Sequence, residues 1–249
     1  MFRLDGRTAL VTGGDKGLGQ AMAIALAQAG ADLAVVSRSG NNGATLAAAQ
    51  AAGQRTLGLT ADLGRPEQAT AAVEHTVEQL GRIDILVNNA GIIRRADAID
   101  TVAEDFQAVL DVNLGGVWTL AQAAGRHMLA QGSGKIINVA SLLSFQGGIR
   151  VPAYAAAKHA VAGLTKALAN EWAGRGINVN AIAPGYMATD NTTALRADPE
   201  RNRQLLERIP AGRWGNPDDL AGAVVFLASH ASDYVNGHVL VVDGGWMGR

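Results

Sequence analysis

Tyr154 and Lys158 stand four residues apart in Tyr154-Ala155-Ala156-Ala157-Lys158. On a helix that spacing puts both side chains on one face. A neighbouring ammonium favours phenolate over phenol, which would draw the tyrosine towards acid/base work at neutral pH. Earlier in the chain, Ser141 ends an apolar run and offers a hydroxyl where α/β sheets place their ligands. A serine donor and a tyrosine acid would polarise a carbonyl and protonate the alkoxide as hydride arrives. The plain alternative is a rim tyrosine with a solvated lysine. With only 3 tyrosines in the chain, the Ser-ended run just before this one favours chemistry.

The first apolar run leads into Thr12-Gly13-Gly14-Asp15-Lys16-Gly17-Leu18-Gly19, and a helix-like stretch follows. Glycines let a backbone approach a pyrophosphate, and free N–H groups at a helix start supply positive potential. The spacing TGxxxGxG departs from the common GxGxxG fingerprint, but its place in a βαβ unit points to a dinucleotide. An acid at the end of the second strand would accept hydrogen bonds from the adenosine ribose and repel a 2′-phosphate. This chain has Ser37-Arg38-Ser39 there, with no acid until Asp62, and Lys16 lies inside the glycine turn. Two cations and a hydroxyl suit a phosphate, which favours NADP(H) with NAD(H) as the alternative. Asn88-Asn89-Ala90-Gly91 ends the fourth run, where amides can brace backbone. Asn113 falls in a helix-like stretch despite poor helix propensity, so it would kink the helix or hold water.

Seven short apolar runs must carry these groups: Thr8–Thr12, Asp32–Ser37, Thr56–Thr60, Ile83–Asn88, Lys135–Ala140, Asn178–Ala183 and His238–Val242. They alternate with helical stretches near Leu18–Ala29, Gly43–Ala52, Pro66–Leu80, Ala103–Ala130, Tyr154–Ala173 and Pro217–Ser229. Near-continuous Val/Ile/Leu strands are buried on both faces, as in a parallel sheet covered by helices. The expectation is an α/β fold: one single-domain, Rossmann-type, doubly wound parallel sheet over residues 1–249. Residues 186–214 break the rhythm with polar side chains and a short helix around Glu200–Arg208, as a substrate lid would.

Composition limits the alternatives. Glycine is abundant at 31 of 249 residues, without collagen's period, so tight turns and close backbone approaches are implied. There is no cysteine, which excludes disulfides, thiolate nucleophiles and Cys-ligated metals. The five histidines (His75, His127, His159, His230, His238) lack metal spacing, so no metal is expected. With 21 Lys and Arg against 22 Asp and Glu, no global field favours nucleic acid or an anionic membrane. Neither a signal-peptide pattern nor a long apolar span is present, so a soluble cytoplasmic protein is expected.

The ordered set TGxxxGxG, NNAG (Asn88–Gly91), Asn113, Ser141, Tyr154-xxx-Lys158 and Pro184-Gly185 resembles the short-chain dehydrogenase/reductase family over essentially the whole chain. The resemblance implies a metal-free oxidoreductase, usually a homotetramer. It implies Tyr154 as general acid/base, Lys158 lowering its pKa and binding the nicotinamide ribose, Ser141 polarising the carbonyl, and Asn113 holding a relay water. Gly13 and Asp15 to Gly19 would cradle the cofactor, Asp62 and Leu63 would meet adenine, and Asn89, Ala90 and Gly91 would line the adenosine ribose. Pro184 to Thr189, with Gly185 and Met187, would pass the nicotinamide.

Further stretches (Gly91–Arg95, Ser141–Pro152, Ala183–Thr192, Arg208–Gly215, Ser232–Trp246) are similar to a bacterial subgroup that acts on 3-deoxy hexonates in uronate and pectin breakdown. Gluconate 5-oxidation, another oxo-acid or polyol reduction and, in a different class, a non-catalytic dinucleotide sensor are the competing readings. The residues agree with a small sugar acid. Arg95 and Arg150 follow the NNAG turn and the Ser141 loop, and a guanidinium can grip a carboxylate in bidentate fashion. Gln146, Asn191 and Thr192 can hydrogen-bond sugar hydroxyls.

Overall fold

A computed structural model describes all 249 residues. Seven parallel strands form one sheet in the order β3-β2-β1-β4-β5-β6-β7. They are β1 (Thr8–Thr12), β2 (Asp32–Ser37), β3 (Thr56–Thr60), β4 (Ile85–Asn88), β5 (Gly134–Val139), β6 (Ile177–Pro184) and β7 (Val239–Val242). The strand order reverses between β1 and β4, and the crevice at that switch lies at the carboxyl ends of the strands, where open α/β sheets bind ligands. The expected single-domain, doubly wound sheet is what the chain forms.

Two buried clusters cover the faces. One joins α1 (Gly17–Gln28) to α9 (Ala221–Ala228) through Met22, Leu26, Val224 and Leu227. The other packs α3 (Pro66–Leu80), α5 (Val117–Gln131) and α6 (Pro152–Trp172) over Leu10, Leu86 and Ile136. Short α2 (Gly43–Ala51) completes the first face, and α7 (Thr193–Ala197) and α8 (Pro199–Arg208) stand above the carboxyl edge. No helix is long and apolar enough to cross a membrane.

Most element ends differ from the sequence reading by a few residues, and three of the departures have a local reason. β4 begins at Ile85 rather than Ile83, because buried Asp84 turns its carboxylate to Thr8 N–H and to Arg7 and Arg82. The stretch Ala103–Ala130 is not one α-helix. It is α4 (Ala103–Leu110), a π-helical turn Asp111–Gly116, and α5. The lid stretch carries α7 as well as the expected helix, which spans Pro199–Arg208 and is capped by Asp198.

Candidate active site

The glycine turn is held open from below by Thr12. Its hydroxyl donates to Val87 O (3.3 Å) and accepts from the N–H groups of Asn89 and Ala90, each at 2.9 Å. The Asn89 amide returns the contact, donating to Thr12 O at 2.8 Å and to Gly13 O at 3.1 Å. Two positions require glycine here. Gly13 has φ +60°, and a Cβ at Gly19 would stand 2.1 Å from the Gly13 carbonyl oxygen. α1 has no side-chain cap and no acid in its first turn, so its leading N–H groups are left to an outside acceptor. A turn of this shape fits a dinucleotide pyrophosphate.

Arg38, at the end of β2, is exposed and has no carboxylate partner. Ser37 is buried, and its hydroxyl donates to Asn42 Oδ1 (2.7 Å) and accepts from Gly40 N–H (3.1 Å), so it shapes the loop that presents Arg38. Asp15 ties the glycine turn to the same loop through the Ser39 hydroxyl (3.3 Å). Lys16 does not join Arg38. Its ammonium pairs with Asp190 at 2.9 Å, which links the glycine turn to the segment after β6. Asp62 uses one carboxylate oxygen to accept from Gly64 N–H, and Leu63 beside it is buried.

Asn113 sits fully buried in the π turn. Its amide clasps the backbone of Ile92, accepting from N–H at 2.8 Å and donating to C=O at 2.9 Å. The wider turn thus braces the strand-end loop carrying Gly91, where a Cβ would come within 3.2 Å of Asn113 Oδ1. Because the side chain is spent on Ile92, a water at this residue would have to be held by its backbone.

Pro152 at its first turn starts α6, a position where a missing N–H costs nothing. A buried relay sets its depth: Asn88 donates to Asn138, Asn138 to Thr165, and Thr165 to Val161 O, tying β4 and β5 to the helix. Tyr154 and Lys158 then share the inward face, with the ammonium 5.5 Å from the ring centre. Ser141 caps the short helical turn Leu142–Ser144, accepting from Leu143 N–H at 3.1 Å, which leaves its own O–H free to donate. Ser144 in turn donates to Lys158 O at 2.6 Å, which ties the serine loop to α6.

The electrostatics differ from the expectation. Burial holds the Tyr154 phenol above its ordinary value, opposed by a hydrogen bond from Ser141 and by the charge of Arg95. Lys158 stays 5.5 Å from the ring centre and is engaged elsewhere. Its ammonium donates to Val139 O at 2.6 Å, and burial lowers its pKa to about 8. Arg95 is a further cation bearing on Tyr154, and its guanidinium also reaches Asn191 O at 3.3 Å. Arg150 lies apart from it: its guanidinium pairs with Asp97 at 3.0 Å, and it is the one non-glycine residue with positive φ, at 64°.

Above the site, Pro184 ends β6, and Gly185 passes so close to Asp243 that a Cβ would lie 2.6 Å from its Cα. Met187 bridges to Gly215, which closes the base of the 186–214 segment. The Thr192 hydroxyl donates to Met187 O (2.7 Å) and accepts from Thr189 N–H (3.1 Å), so it folds this segment internally. Asn191 offers its carbonyl to Arg95 rather than its amide. Gln146 accepts from the Trp246 indole at 3.2 Å. The bracing by Thr12 and the contact between Gln146 and Trp246 were invisible in the sequence reading, although the Thr of the glycine motif and a Trp just after Gly244-Gly245 were signals.

A family profile described as enoyl-(acyl carrier protein) reductase matches residues 13–247. The chain belongs to the short-chain dehydrogenase/reductase family. It is therefore an oxidoreductase of that class, with the Rossmann-type sheet described above. It is similar to the 2-dehydro-3-deoxy-D-gluconate 5-dehydrogenases of Escherichia coli strain K12 and Bacillus subtilis strain 168. The first is 55% identical, over 100% of this chain and 98% of that protein. The second is 57% identical, over 100% and 97%. Among solved structures it is similar to a gluconate 5-dehydrogenase from Burkholderia cenocepacia J2315 in complex with NADP and tartrate. That chain is 45% identical with a TM-score of 0.94, covering 100% of this chain and 98% of its own.

Proposed function

We propose that this reductase uses NADP(H) and interconverts 3-deoxy-2,5-diketo hexonate and 2-dehydro-3-deoxy-D-gluconate by hydride transfer at C5. The observation that carries the reading is the pairing of Tyr154 with the Ser141 hydroxyl, a carbonyl-polarising pair on which the charge of Arg95 also bears. The names of the two bacterial relatives support the substrate. The NADP and tartrate of the Burkholderia structure support the cofactor and a hydroxy-acid pocket, and that relative's name favours gluconate 5-oxidation as a second reading.

The glycine turn and Arg38 would hold the cofactor, with Asp62, Asn89 to Gly91 and Pro184 to Thr189 along its length. When bound, the nicotinamide supplies or accepts the hydride. In reduction, the Ser141 O–H donates to the substrate carbonyl oxygen, and Tyr154, kept protonated by burial, gives its proton to the forming alkoxide. Arg95 then stabilises the phenolate left behind while it anchors the substrate carboxylate. Lys158 holds the ribose, and the backbone of Asn113 positions water for proton return. The 186–214 segment closes over the pocket, with Lys16 and Asp190 as its clasp on the glycine turn.

The chain works as a cytoplasmic homotetramer in this reading. Support comes from edge strand β7, whose four residues are all half-buried with no neighbour beyond them, and from α9, which is apolar all round.

Two variants test the assignments. Arg95→Ala should raise the sugar-acid KM roughly 10- to 100-fold, the loss of a charged hydrogen bond, while Arg150→Ala shifts it less than about threefold. Equal KM values for wild type and Arg95→Ala would remove the anchor. Arg38→Asp should move the NADPH-to-NADH ratio of kcat/KM towards NADH by about 10-fold or more, since it replaces a phosphate partner with a repelling charge. An unchanged ratio would exclude Arg38 from the phosphate site.

A further inference from the structure

The last turn of the chain is built into the roof of the site. Gly244 (φ +66°) and Gly245 (φ +93°) reverse the backbone after β7. Asp243 pins the reversal, accepting from Gly245 N–H at 2.8 Å and Met247 N–H at 2.7 Å. Trp246 is thereby driven inward and is only 4% exposed. It shares one apolar cluster with Leu142, Leu205 and Ile209, which joins the residue after the catalytic serine to the helix of the lid segment. Tyr186 lies 4.6 Å from its ring, and the Arg208 guanidinium covers it at 4.0 Å. Arg249 adds a second tie to α8 by donating to Glu207 O at 2.8 Å.

The indole N–H has one acceptor, Gln146 Oε1 at 3.2 Å. Gln146 is itself on the serine loop, with its N–H donating to Leu142 O at 3.0 Å. The indole N–H fixes the orientation of the amide: Oε1 faces the donor and the NH2 group faces the other way. Its NH2 group has no partner within the protein, so it is left to an oxygen from outside. We propose that Trp246 is a positioning residue for the substrate: it orients the Gln146 amide so that its NH2 group is presented to an oxygen of the oxo acid, and it couples α8 to the Ser141 loop. The inference rests on the sugar-acid reading above and adds the residue that orients its amide contact.

Trp246→Phe keeps an aromatic ring in the cluster but removes the indole N–H. The test is steady-state kinetics with varied oxo acid and varied NADPH, on wild type, Trp246→Phe, Gln146→Ala and the double variant, with Tm recorded for each. Trp246→Phe should raise the oxo-acid KM roughly 3- to 10-fold, the loss of one oriented hydrogen bond, with kcat and NADPH KM within about twofold. In the double variant, Trp246→Phe should add nothing to Gln146→Ala. An unchanged oxo-acid KM, independent multiplication of the two effects, or an equal rise in NADPH KM overturns the proposal. The 3-deoxy-2,5-diketo hexonate and 5-ketogluconate serve as separate probes. If wild type turns over neither, the sugar-acid reading fails and the role of Gln146 with it. If wild type turns over either and Trp246→Phe matches it, only the Trp246 proposal fails.

Discussion

Tyr154→Phe is expected to lower kcat by about 10³-fold or more, the upper range for a lost general acid, while leaving NADPH affinity within a factor of about two. The phenol is half-buried, and it meets the Ser141 hydroxyl and the Arg95 charge. Phenylalanine keeps the ring and removes only the hydroxyl, which carries the proton that must reach the alkoxide. The loss should therefore fall on kcat rather than on either KM, as for an interaction made in the transition state. Cofactor titration by fluorescence and kcat at saturating substrate check both halves. Turnover above roughly a tenth of wild type would mean that another group delivers the proton, since even modest general-acid catalysis contributes about 10²-fold. It would also revive the reading of the chain as a dinucleotide sensor with incidental activity.

Lys158→Met should cut kcat/KM by at least about 10²-fold and at the same time make the protein more stable at pH 7. Burial lowers the lysine pKa from 10.5 to about 8, so the folded protein disfavours its charge. The group is 4% exposed, and solvent does little to screen that cost. At pH 7, below both values, the full penalty applies, on the order of 3 kcal/mol. Between about 8 and 10.5 the folded state releases the proton while the unfolded chain keeps it, so wild-type stability rises across that window. The bond from Nζ to Val139 O offsets part of the gain, by roughly 1–2 kcal/mol on its removal. A Tm higher than wild type by about 2–6 °C at pH 7 follows, with the two curves crossing at about pH 9 and wild type the more stable by pH 10. Thermal scans from pH 7 to 10 check this, and a variant less stable at pH 7 would show that the ammonium is favoured where it lies.

What was legible in the sequence divides by range. β1 and β2 have the bounds expected because their Val, Leu and Ala runs have one home, a strand covered on both faces. The glycine turn was legible because Gly13 and Gly19 answer to steric demands local to one strand–helix joint. The π turn was not, because Val112 and Leu114 continue the apolar pattern through it, and only the poor propensity of Asn113 hinted at a break. Pairings set by tertiary contact were the hardest. Lys16 and Asp190 lie 174 positions apart, and Gln146 and Trp246 lie 100 apart. No local spacing tells which of several exposed cations a lid carboxylate will find. The division of labour between Arg95 and Arg150 has the same origin. Both follow strand-end loops, but Asp97 captures one, and the Tyr154 pocket receives the other.

The most direct measurement is the initial rate of NADPH and NADH oxidation with 3-deoxy-2,5-diketo hexonate, run in parallel with 5-ketogluconate. Rapid oxidation of NADPH with the deoxy diketo acid, and a lower kcat/KM for NADH and for 5-ketogluconate, is the expected result. A higher kcat/KM for 5-ketogluconate would leave the Ser141, Tyr154 and Lys158 machinery in place and overturn the substrate. No reduction of either acid by a protein that binds NADPH would contradict the proposed function itself.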